Sequence, residues 1–373
     1  MMELGAFDLQ PRTRLLFGNG TLGRIGELAR GLGGKRALLV SDPGIVGVGY
    51  AAKAVSFLEE AGLVVQVFGE VRENPSTEDV DCCVAVAREF QTDLLIGLGG
   101  GSSMDTAKGC NFILTNGGRM QDYWGTGKAT QPMLPLIAIP TTAGTGSECQ
   151  SYALISDAVT HVKMACGDTK AAARVAILDP ELTISQPQRV TVCTGLDALS
   201  HALETAVTNK RNAFSSVFSR EGFRLCHSGF SRVLRDSKDI EARGMMLLGA
   251  AYAGTAIENS MLGAAHSCAN PLTAYFNVVH GEAVGVMLPH VIRFNSTLPE
   301  IAAIYESYYV DDLADRVSEL LWEAQMQRKI SDYGVSVADV PKLAAMAAKQ
   351  WTAQFNPRPV TESDFVELFR AAL

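Results

Sequence analysis

The segment LLIGLGGGSSMDTAK, residues 94–108, joins an apolar run to a glycine cluster and then to a stretch with helical spacing. Leu94 to Leu98 lack polar side chains, which is typical of a parallel strand that is covered on both faces. A helix is predicted to follow from about Ser103 to Leu114. A strand that ends in glycines and opens a helix is the repeating unit of an α/β sheet, so this segment predicts a doubly wound fold.

The chain around this segment alternates in the same way. Strands are predicted at residues 14–17, 36–40, 64–68 and 134–139. Helices are predicted at residues 22–30, 51–61 and 76–90, the last of them with Ser76 or Thr77 as its N-cap. This alternation predicts a Rossmann-like α/β domain with a mostly parallel sheet.

Beyond Pro187 the apolar spacing becomes helical. Helices are predicted at residues 196–207, 215–234, 241–258, 301–323 and 340–350. The turn-rich stretch DPELTISQP, residues 179–187, is the expected boundary. The sequence therefore predicts an α/β domain at residues 1–185 and an all-helical domain at residues 186–373.

The composition argues against several classes of protein. A net charge of −8 provides no basic surface for nucleic acid. There is no run of 18 apolar residues, and the acid-containing N-terminus MMELGAFDLQ resembles neither a signal peptide nor a membrane span. The eight cysteines show no CxxC spacing, which indicates reduced thiols. We expect a cytoplasmic protein without nucleic-acid or membrane partners, and we leave a homodimer or higher homo-oligomer open.

Glycine-rich loops follow two of the predicted strands. Gly99 to Ser102 open a helix, where free backbone N–H groups and the helix dipole favour a phosphate. A plain tight turn is the alternative, and the spacing of Ser102 and Asp105 also fits a helix cap. The second loop, PTTAGTGSE at residues 140–148, adds hydroxyl groups. Two such loops after parallel strands predict a dinucleotide at the carboxyl ends of the sheet.

Asp42 is a candidate for choosing between the two nicotinamide cofactors. It comes just after the predicted strand at residues 36–40, where a carboxylate can accept a hydrogen bond from a ribose 2′-hydroxyl. That contact favours NAD over NADP. An ordinary helix cap before Pro43 is the alternative.

Four side chains between residues 194 and 282 have the types of one transition-metal site. Asp197 and His201 are four positions apart in TGLDALSHALE, so a helix places both on one face. His266 and His280 lie in short segments of small and apolar residues. One carboxylate with three imidazoles suits Fe(II) or Zn(II) better than Mg(II) or Ca(II). Satisfied core histidines and a surface Asp–His hydrogen bond are the alternatives.

The motifs taken together resemble one family. GGGSSMDTAK, IAIPTTAGTGSE, TGLDALSHALE and HGEAVGVMLPHVIRFN are similar to those of the iron-containing, or group III, alcohol dehydrogenases over nearly the whole chain. The resemblance implies a dehydroquinate synthase-like fold with an N-terminal dinucleotide-binding domain and an all-helical C-terminal metal-binding domain. It implies that the metal ligands are Asp197, His201, His266 and His280. It also implies a cofactor site lined by Gly99, Gly100, Gly101, Ser102, Asp105, Thr141, Thr142 and Thr145, with Asn74, Ser147, Leu154 and Lys163.

One position departs from the family pattern. Many members resemble H-x-x-x-H-P-L at the third ligand, and the second histidine there positions nicotinamide and substrate or moves a proton. This chain has Asn270 in that place, in HSCANPL. An amide can form hydrogen bonds but cannot exchange a proton near neutral pH. Asn270 is therefore a catalytic candidate whose role is limited to hydrogen bonding.

The resemblance implies a metal-dependent alcohol dehydrogenase. It would transfer a hydride reversibly between a small alcohol and NAD, with NADP the less favoured cofactor, and give an aldehyde or a ketone. A glycerol dehydrogenase-like enzyme and a dehydroquinate synthase-like lyase are alternatives, although the lyase would need basic residues beside the ligand segments that the sequence does not provide. A catalytically silent nucleotide-binding protein with a structural metal is another, since structural sites have closed tetrahedral shells.

Overall fold

The computed structural model of the chain describes residues 7–309 and 311–373. The N-terminus that was expected to lack a signal peptide begins with residues 1–6, which lie outside the described residues. The chain divides into two compact units. The first, called here the α/β unit, consists of Leu9–Thr142 and Gly146–Gln186, and the second, the helical unit, consists mainly of Pro187–Leu373 and includes Ala143–Thr145.

A six-stranded sheet forms the centre of the α/β unit, and all of its strand pairs are parallel. In sheet order its strands are β1 (Arg14–Phe17), β9 (Val175–Leu178), β6 (Leu136–Pro140), β4 (Leu94–Gly99), β2 (Arg36–Val40) and β3 (Val64–Phe68). The helices of this unit are α1 (Ile25–Gly31), α2 (Pro43–Gly47), α3 (Tyr50–Glu60), α4 (Thr77–Glu89) and α5 (Gly101–Asn116). The predicted class, a parallel Rossmann-like sheet followed by helices, is confirmed.

A smaller sheet and one central strand were not predicted. The smaller sheet contains β5 (Gly125–Thr126), β8 (Lys163–Gly167) and β7 (Tyr152–Ser156), in that order. Its strands β7 and β8 are antiparallel. Strand β9 pairs with both β1 and β6, so the main sheet depends on a short run far along the chain from its first strand.

The four inner strands of the main sheet, β9, β6, β4 and β2, are buried on both faces because they are apolar on both faces. Leu38 and Val40 of β2 belong to a buried cluster that also contains residues of α4 and α5. Ala37 and Leu39, which point the other way, belong to a second cluster with residues of α1 and α3. Two helical layers therefore cover the sheet, as the continuous apolar strands predict.

The helical unit is built around its first helix, α6 (Gln188–Thr205), which packs against three later helices, α7, α8 and α10. The helices after α6 are α7 (Ala213–Arg235), α8 (Ile240–Ser260), α9 (Ala264–Phe276), α10 (His280–Asn295), α11 (Pro299–Tyr308), α12 (Leu313–Glu323), α13 (Val340–Ala347) and α14 (Glu362–Ala371). Within the described residues, none of the helices has the length and apolarity that crossing a membrane requires.

The prediction of a single helix at residues 301–323 is wrong. Two helices, α11 and α12, occupy this stretch, and residue 310 between them lies outside the described residues. Helix α12 starts separately because Asp312 is its N-cap. The Asp312 side chain accepts from the Asp315 N–H over 2.9 Å.

Gly26 allows a close approach between α1 and α3. A Cβ at Gly26 would lie 2.4 Å from the Phe57 carbonyl oxygen, whereas a Cβ at Gly31, in the same helix, would have nothing within 4 Å. We expect Gly26→Ala to lower the free energy of unfolding by ~1–3 kcal/mol through overpacking. Gly31→Ala should stay within about 1 kcal/mol of wild type. Urea denaturation of both variants measures the difference, and equal stabilities would contradict the packing described.

Candidate functional site

Helix α6 is buried along most of its length and carries two of the predicted ligands. Asp197 and His201 are each 5% exposed. They lie four positions apart and project from the same face, with His201 Nε2 3.4 Å from Asp197 Oδ1. The neighbouring Ala198 and Ala202 are fully buried, so small side chains let other helices pack close to this one.

Two other helices bring the remaining histidines to the same oxygen. His266 is in the first turn of α9, and His280 is the first residue of α10. Their Nε2 atoms lie 3.4 Å and 3.9 Å from Asp197 Oδ1. The rings of His201 and His266 stack with their centroids 4.8 Å apart. The structure thus brings together all four side chains that the sequence predicted as ligands.

Within the described residues, two buried atoms of this cluster lack hydrogen-bond partners, Asp197 Oδ1 and His266 Nε2. An unsatisfied buried polar atom costs ~1–3 kcal/mol, so two that face each other call for a shared partner. Donor atoms bound ~2.1 Å from one tetrahedral ion lie about 3.4 Å apart. His201 Nε2 and His266 Nε2 are both 3.4 Å from Asp197 Oδ1. The donor set therefore fits a divalent transition metal such as Fe(II) or Zn(II).

Electrostatics keep the carboxylate of this cluster ionised. Burial raises the pKa of Asp197, but the surrounding histidines, His201 first, outweigh burial and hold that pKa below its usual range. Burial lowers the pKa of His201 against the attraction of Asp197. Burial also opposes charge on His266, but Glu204 and Asp197 raise its pKa to about 9. The cluster combines one anion with imidazoles that differ in proton affinity.

The Nδ1 atoms of two histidines face acceptors outside the cluster. His201 Nδ1 lies 3.2 Å from the Gly144 carbonyl oxygen, and His266 Nδ1 is hydrogen-bonded to Glu204 Oε2. Contacts of this kind direct the other ring nitrogen toward a metal position. Sequence reasoning missed Glu204, although its place on α6, seven residues after Asp197 and on the same helical face, was a usable signal.

Glycines permit the backbone approaches that hold these ligands. A Cβ at Gly281 would lie 1.9 Å from the Cys193 carbonyl oxygen, so α10 begins in backbone contact with α6. A Cβ at Gly144 would lie 2.5 Å from the Thr194 Cβ. Sequence reasoning missed both positions because the residues that crowd them are distant along the chain.

The α/β unit places its two glycine-rich loops side by side. Strand β4 ends at Gly99 with φ +151°, and a Cβ there would lie 2.3 Å from Ser103 Oγ. This position therefore requires glycine. Thr141 directly follows the neighbouring strand β6, and its N–H donates to the Gly99 carbonyl oxygen over 2.9 Å.

The start of α5 is open to an anion. Gly100 is the N-cap, and Gly101 and Ser102 form the first turn, where backbone N–H groups have no acceptor within the helix. A Cβ at Gly100 would lie 3.5 Å from the Thr142 side chain, so the second loop borders this turn. The predicted phosphate-binding residues of the α/β unit lie together, and the arrangement suits a phosphate.

A buried charged cluster joins α5 to the second loop. Asp105 accepts from Ser147 Oγ over 2.7 Å. Lys108 is fully buried, and its Nζ donates to the Ser147 carbonyl and hydroxyl oxygens and to the Tyr152 carbonyl oxygen at 2.6, 2.8 and 2.9 Å. Burial raises the pKa of Asp105, and Lys108 opposes that rise. The alternative in which Ser102 and Asp105 cap the helix is wrong, since Gly100 is the N-cap.

Asp42 caps a helix, as the alternative interpretation expected, and it also lies beside the first glycine-rich loop. Its Oδ1 accepts from the Ile45 N–H over 3.0 Å and caps α2. Its Oδ2 faces Gly99, where a Cβ would lie 3.0 Å from this oxygen. One carboxylate oxygen therefore caps a helix while the other borders the predicted phosphate loop.

The other predicted cofactor residues are more dispersed. Lys163 Nζ lies 3.5 Å from Asn74 Oδ1, and both residues are exposed. Leu154 is half-buried in β7, and its backbone hydrogen-bonds to the Asp105 carboxyl. Thr145 belongs to the helical unit rather than to the α/β unit.

Asn270 forms a contact that the sequence did not reveal. It is half-buried on α9, one turn after His266, and its Nδ2 donates to Gln350 Oε1 over 2.9 Å. Gln350 directly precedes the short 3-10 turn Trp351–Phe355. The amide is therefore held by a second amide, and neither group can carry a proton away.

Two family models match the chain, one over each half. Iron-containing alcohol dehydrogenase matches residues 11–180, and the C-terminal model of the Fe-containing alcohol dehydrogenase family matches residues 191–373. The chain belongs to the iron-containing alcohol dehydrogenase family.

Individual relatives cover nearly its full length. Alcohol dehydrogenase 4 of Schizosaccharomyces pombe is 33% identical, over 96% of this chain and 87% of that protein. NAD-dependent methanol dehydrogenase of Bacillus methanolicus is 33% identical, over 96% of this chain and 97% of that protein. The crystal structure of a 1,3-propanediol oxidoreductase has a TM-score of 0.95 at 31% identity, over 99% of this chain and 100% of that one.

Family membership settles several predictions. The predicted family, the fold class, the alcohol dehydrogenase activity and the use of iron and NAD are confirmed at the level of the family. The individual ligands and cofactor-binding residues stay predictions, and the geometry above is the argument for them.

Glu148 is a buried acid in the second loop that sequence reasoning did not single out. It is 1% exposed, and burial raises its pKa to about 7 against the attraction of Lys108. A raised carboxyl pKa means that folding takes up a proton between about pH 4.5 and pH 7. The stability that Glu148 contributes is therefore present at low pH and is lost as the pH rises through 7.

Glu148→Gln should remove this pH dependence. Relative to wild type, the free energy of unfolding of the variant should rise by up to ~3 kcal/mol between pH 5 and pH 8, because the neutral amide pays no cost of ionisation. Denaturation curves across that range measure the difference, with Glu70→Gln at an exposed position as the matched control. A difference that stays flat with pH would contradict the burial argument.

Proposed function

We propose that this chain transfers a hydride reversibly between a small alcohol and NAD and gives an aldehyde or a ketone. The observation that carries the proposal is the convergence of three imidazole Nε2 atoms on the buried Oδ1 of Asp197. The names of relatives that act on methanol and on 1,3-propanediol support a small alcohol as the substrate.

Asp197, His201, His266 and His280 would hold the metal. Iron(II) bound there supplies a Lewis acid that lowers the pKa of an alcohol. The His280 side chain is 30% exposed, whereas those of Asp197 and His266 are 7% and 6% exposed. Because His280 is the most open of these three, the substrate would reach the cluster from its side.

The two glycine-rich loops of the α/β unit would bind the dinucleotide. Backbone N–H groups at Gly99 to Ser102 and the hydroxyls of Thr141 and Thr142 would bind phosphate and ribose oxygens. Asp42 would accept from the ribose 2′-hydroxyl. The remaining proposed cofactor residues are Asn74, Asp105, Thr145, Ser147, Leu154 and Lys163, of which Asp105 and Ser147 act by holding the loop in place.

Asn270 would contribute hydrogen bonds alone. Its amide is engaged by Gln350, and it has no group that takes up a proton near neutral pH. The proton released from the alcohol would therefore leave through water or a cofactor hydroxyl rather than through position 270.

A cytoplasmic location is part of the proposal. The lack of CxxC spacing among the eight cysteines supports a reducing compartment. The assembly would be a homodimer or a higher homo-oligomer, and sedimentation velocity of the purified protein distinguishes these states.

Replacing a proposed ligand should remove metal without removing the nucleotide site. His280→Ala deletes one donor of four, so we expect the metal content of the purified protein to fall by at least half and turnover to be lost, while NAD binding persists. His290→Ala, the same change further along α10, is the matched control and should retain metal. Elemental analysis and NAD titration measure these outcomes. Full activity of a metal-free preparation would contradict the proposal.

Removing the charge at Asp42 should relax the choice of cofactor. A 2′-phosphate would face a carboxylate there, with repulsion of ~1–3 kcal/mol. Asp42→Asn keeps an oxygen for the Ile45 N–H and loses the charge, so kcat/KM for NADP relative to NAD should rise about 5- to 150-fold. Asp42→Gly should do the same with little loss of the cap. Unchanged preference in both variants would place Asp42 away from the ribose.

A further inference from the structure

Glu204 is a buried acid on α6 that touches both the backbone and a side chain of α9. It is 3% exposed. Its Oε1 accepts from the Ala265 N–H over 2.7 Å, and its Oε2 is hydrogen-bonded to His266 Nδ1. One carboxylate thus joins the helix that carries Asp197 and His201 to the helix that carries His266.

The backbone contact serves the beginning of α9. The N-cap of this helix is Gly263, which has no side chain to accept from the first N–H groups. Two residues distant in sequence accept from them instead. Asn356 Oδ1 accepts from the Ala264 N–H over 3.3 Å, and Glu204 accepts from the next N–H. A carboxylate is also the favoured partner for the positive end of a helix dipole.

The side-chain contact decides which nitrogen of His266 is left for the cluster. In a hydrogen bond between a ligand histidine and a carboxylate oxygen the ring nitrogen is the usual donor, which places the shared proton on Nδ1. Nε2, the atom 3.4 Å from Asp197 Oδ1, then keeps its lone pair available whenever the ring is neutral. His201 has a carbonyl oxygen, that of Gly144, at the corresponding place. The two histidines therefore differ, since one has an anionic and the other a neutral acceptor at Nδ1.

We propose that Glu204 is a positioning residue that fixes the proton on Nδ1 of His266 and so presents Nε2 to the metal. The inference rests on the proposed function, in which His266 is a ligand. Glu204 does not reach Asp197 Oδ1 in any described contact, and its effect passes through His266. A histidine held in this way loses less freedom when it binds, so the carboxylate raises the affinity of the whole cluster.

Two substitutions at Glu204 separate its charge from its acceptor oxygen. Glu204→Gln keeps one acceptor oxygen and loses the charge, whereas Glu204→Met keeps the length of the side chain and loses both acceptors. We expect metal affinity to fall in the order wild type, Gln, Met, with a loss of about 10- to 100-fold for Met. Competition between the purified protein and a chelator for Zn(II) measures each dissociation constant.

Asn356→Ala is the matched control. Asn356 also caps α9 from a distance, but it contacts that helix at Ala264 and not at His266, and the other hydrogen bonds of its side chain are with Asn295 and the Arg358 carbonyl oxygen. This variant should lower the melting temperature while its dissociation constant for Zn(II) stays within about threefold of wild type. A purely structural role for Glu204 predicts instead that the two caps behave alike.

A spectroscopic measurement on the wild-type protein tests the proton position directly. In the Zn(II)-loaded protein, NMR of labelled histidine should show a protected Nδ1–H on His266 that disappears in Glu204→Met. If Glu204→Met does not fold, the wild-type spectrum and Glu204→Gln carry the test.

The outcomes distinguish this inference from the proposed function. Wild-type affinity in the Gln and Met variants, or an unprotonated Nδ1 in the wild-type complex, overturns the role of Glu204 and leaves the metal site standing. Failure of the wild-type protein itself to take up Zn(II) or Fe(II) would instead overturn the proposed function.

Discussion

Asp197 is a carboxylate that the fold has removed from water, and ionised groups survive burial only when other groups replace the lost hydration. Three imidazoles from three helices do so here. Because each ring must reach the same oxygen, α9 and α10 must both begin close to α6.

The composition of α6 reflects the same constraint. A helix that is buried on nearly all sides has no solvent-exposed face for its charged and polar side chains. Each of these side chains therefore needs a hydrogen-bond partner inside the protein. Asp197, His201 and Glu204 each contact ligand-bearing segments, and Ser200 and Thr205 return their hydroxyls to the helix backbone. Ala198 and Ala202 lie between them, and the backbone of α10 comes close to α6 at Gly281. The motif TGLDALSHALE therefore contains both the residues that let helices pack closely and the residues of the Asp–His cluster.

Local patterns carried most of what the sequence revealed. Strands at residues 14–17, 36–40 and 64–68 were predicted with their observed bounds because short, mainly apolar stretches near turn-forming residues are typical of strands. Strand β9 was missed because its four residues acquire meaning only from pairing with β1 and β6. The four clustered donors were predictable because helical spacing and residue type are written along the chain.

The contacts that support those donors were not predictable in the same way. Glu204 and Lys108 look like ordinary helical surface residues in a sequence, and it is the packing of other segments that buries them. Long-range burial decides whether such a side chain is solvated or becomes part of a charged cluster, and single-chain periodicity does not report it.

The two units handle a buried carboxylate in different ways, and the difference bears on function. In the α/β unit, Asp105 has a resident cation, Lys108, whose three acceptors hold it in place. That cationic side chain is part of the chain and is tied down by its acceptors, which suits a cluster that only has to keep a loop in position. In the helical unit, Asp197 faces imidazoles, which are cationic only while they hold a proton. When the imidazoles lose their protons, a metal ion can supply the positive charge instead. The negative charge of Asp197 can therefore be balanced by an exchangeable cation, whereas that of Asp105 is balanced by a side chain of the protein.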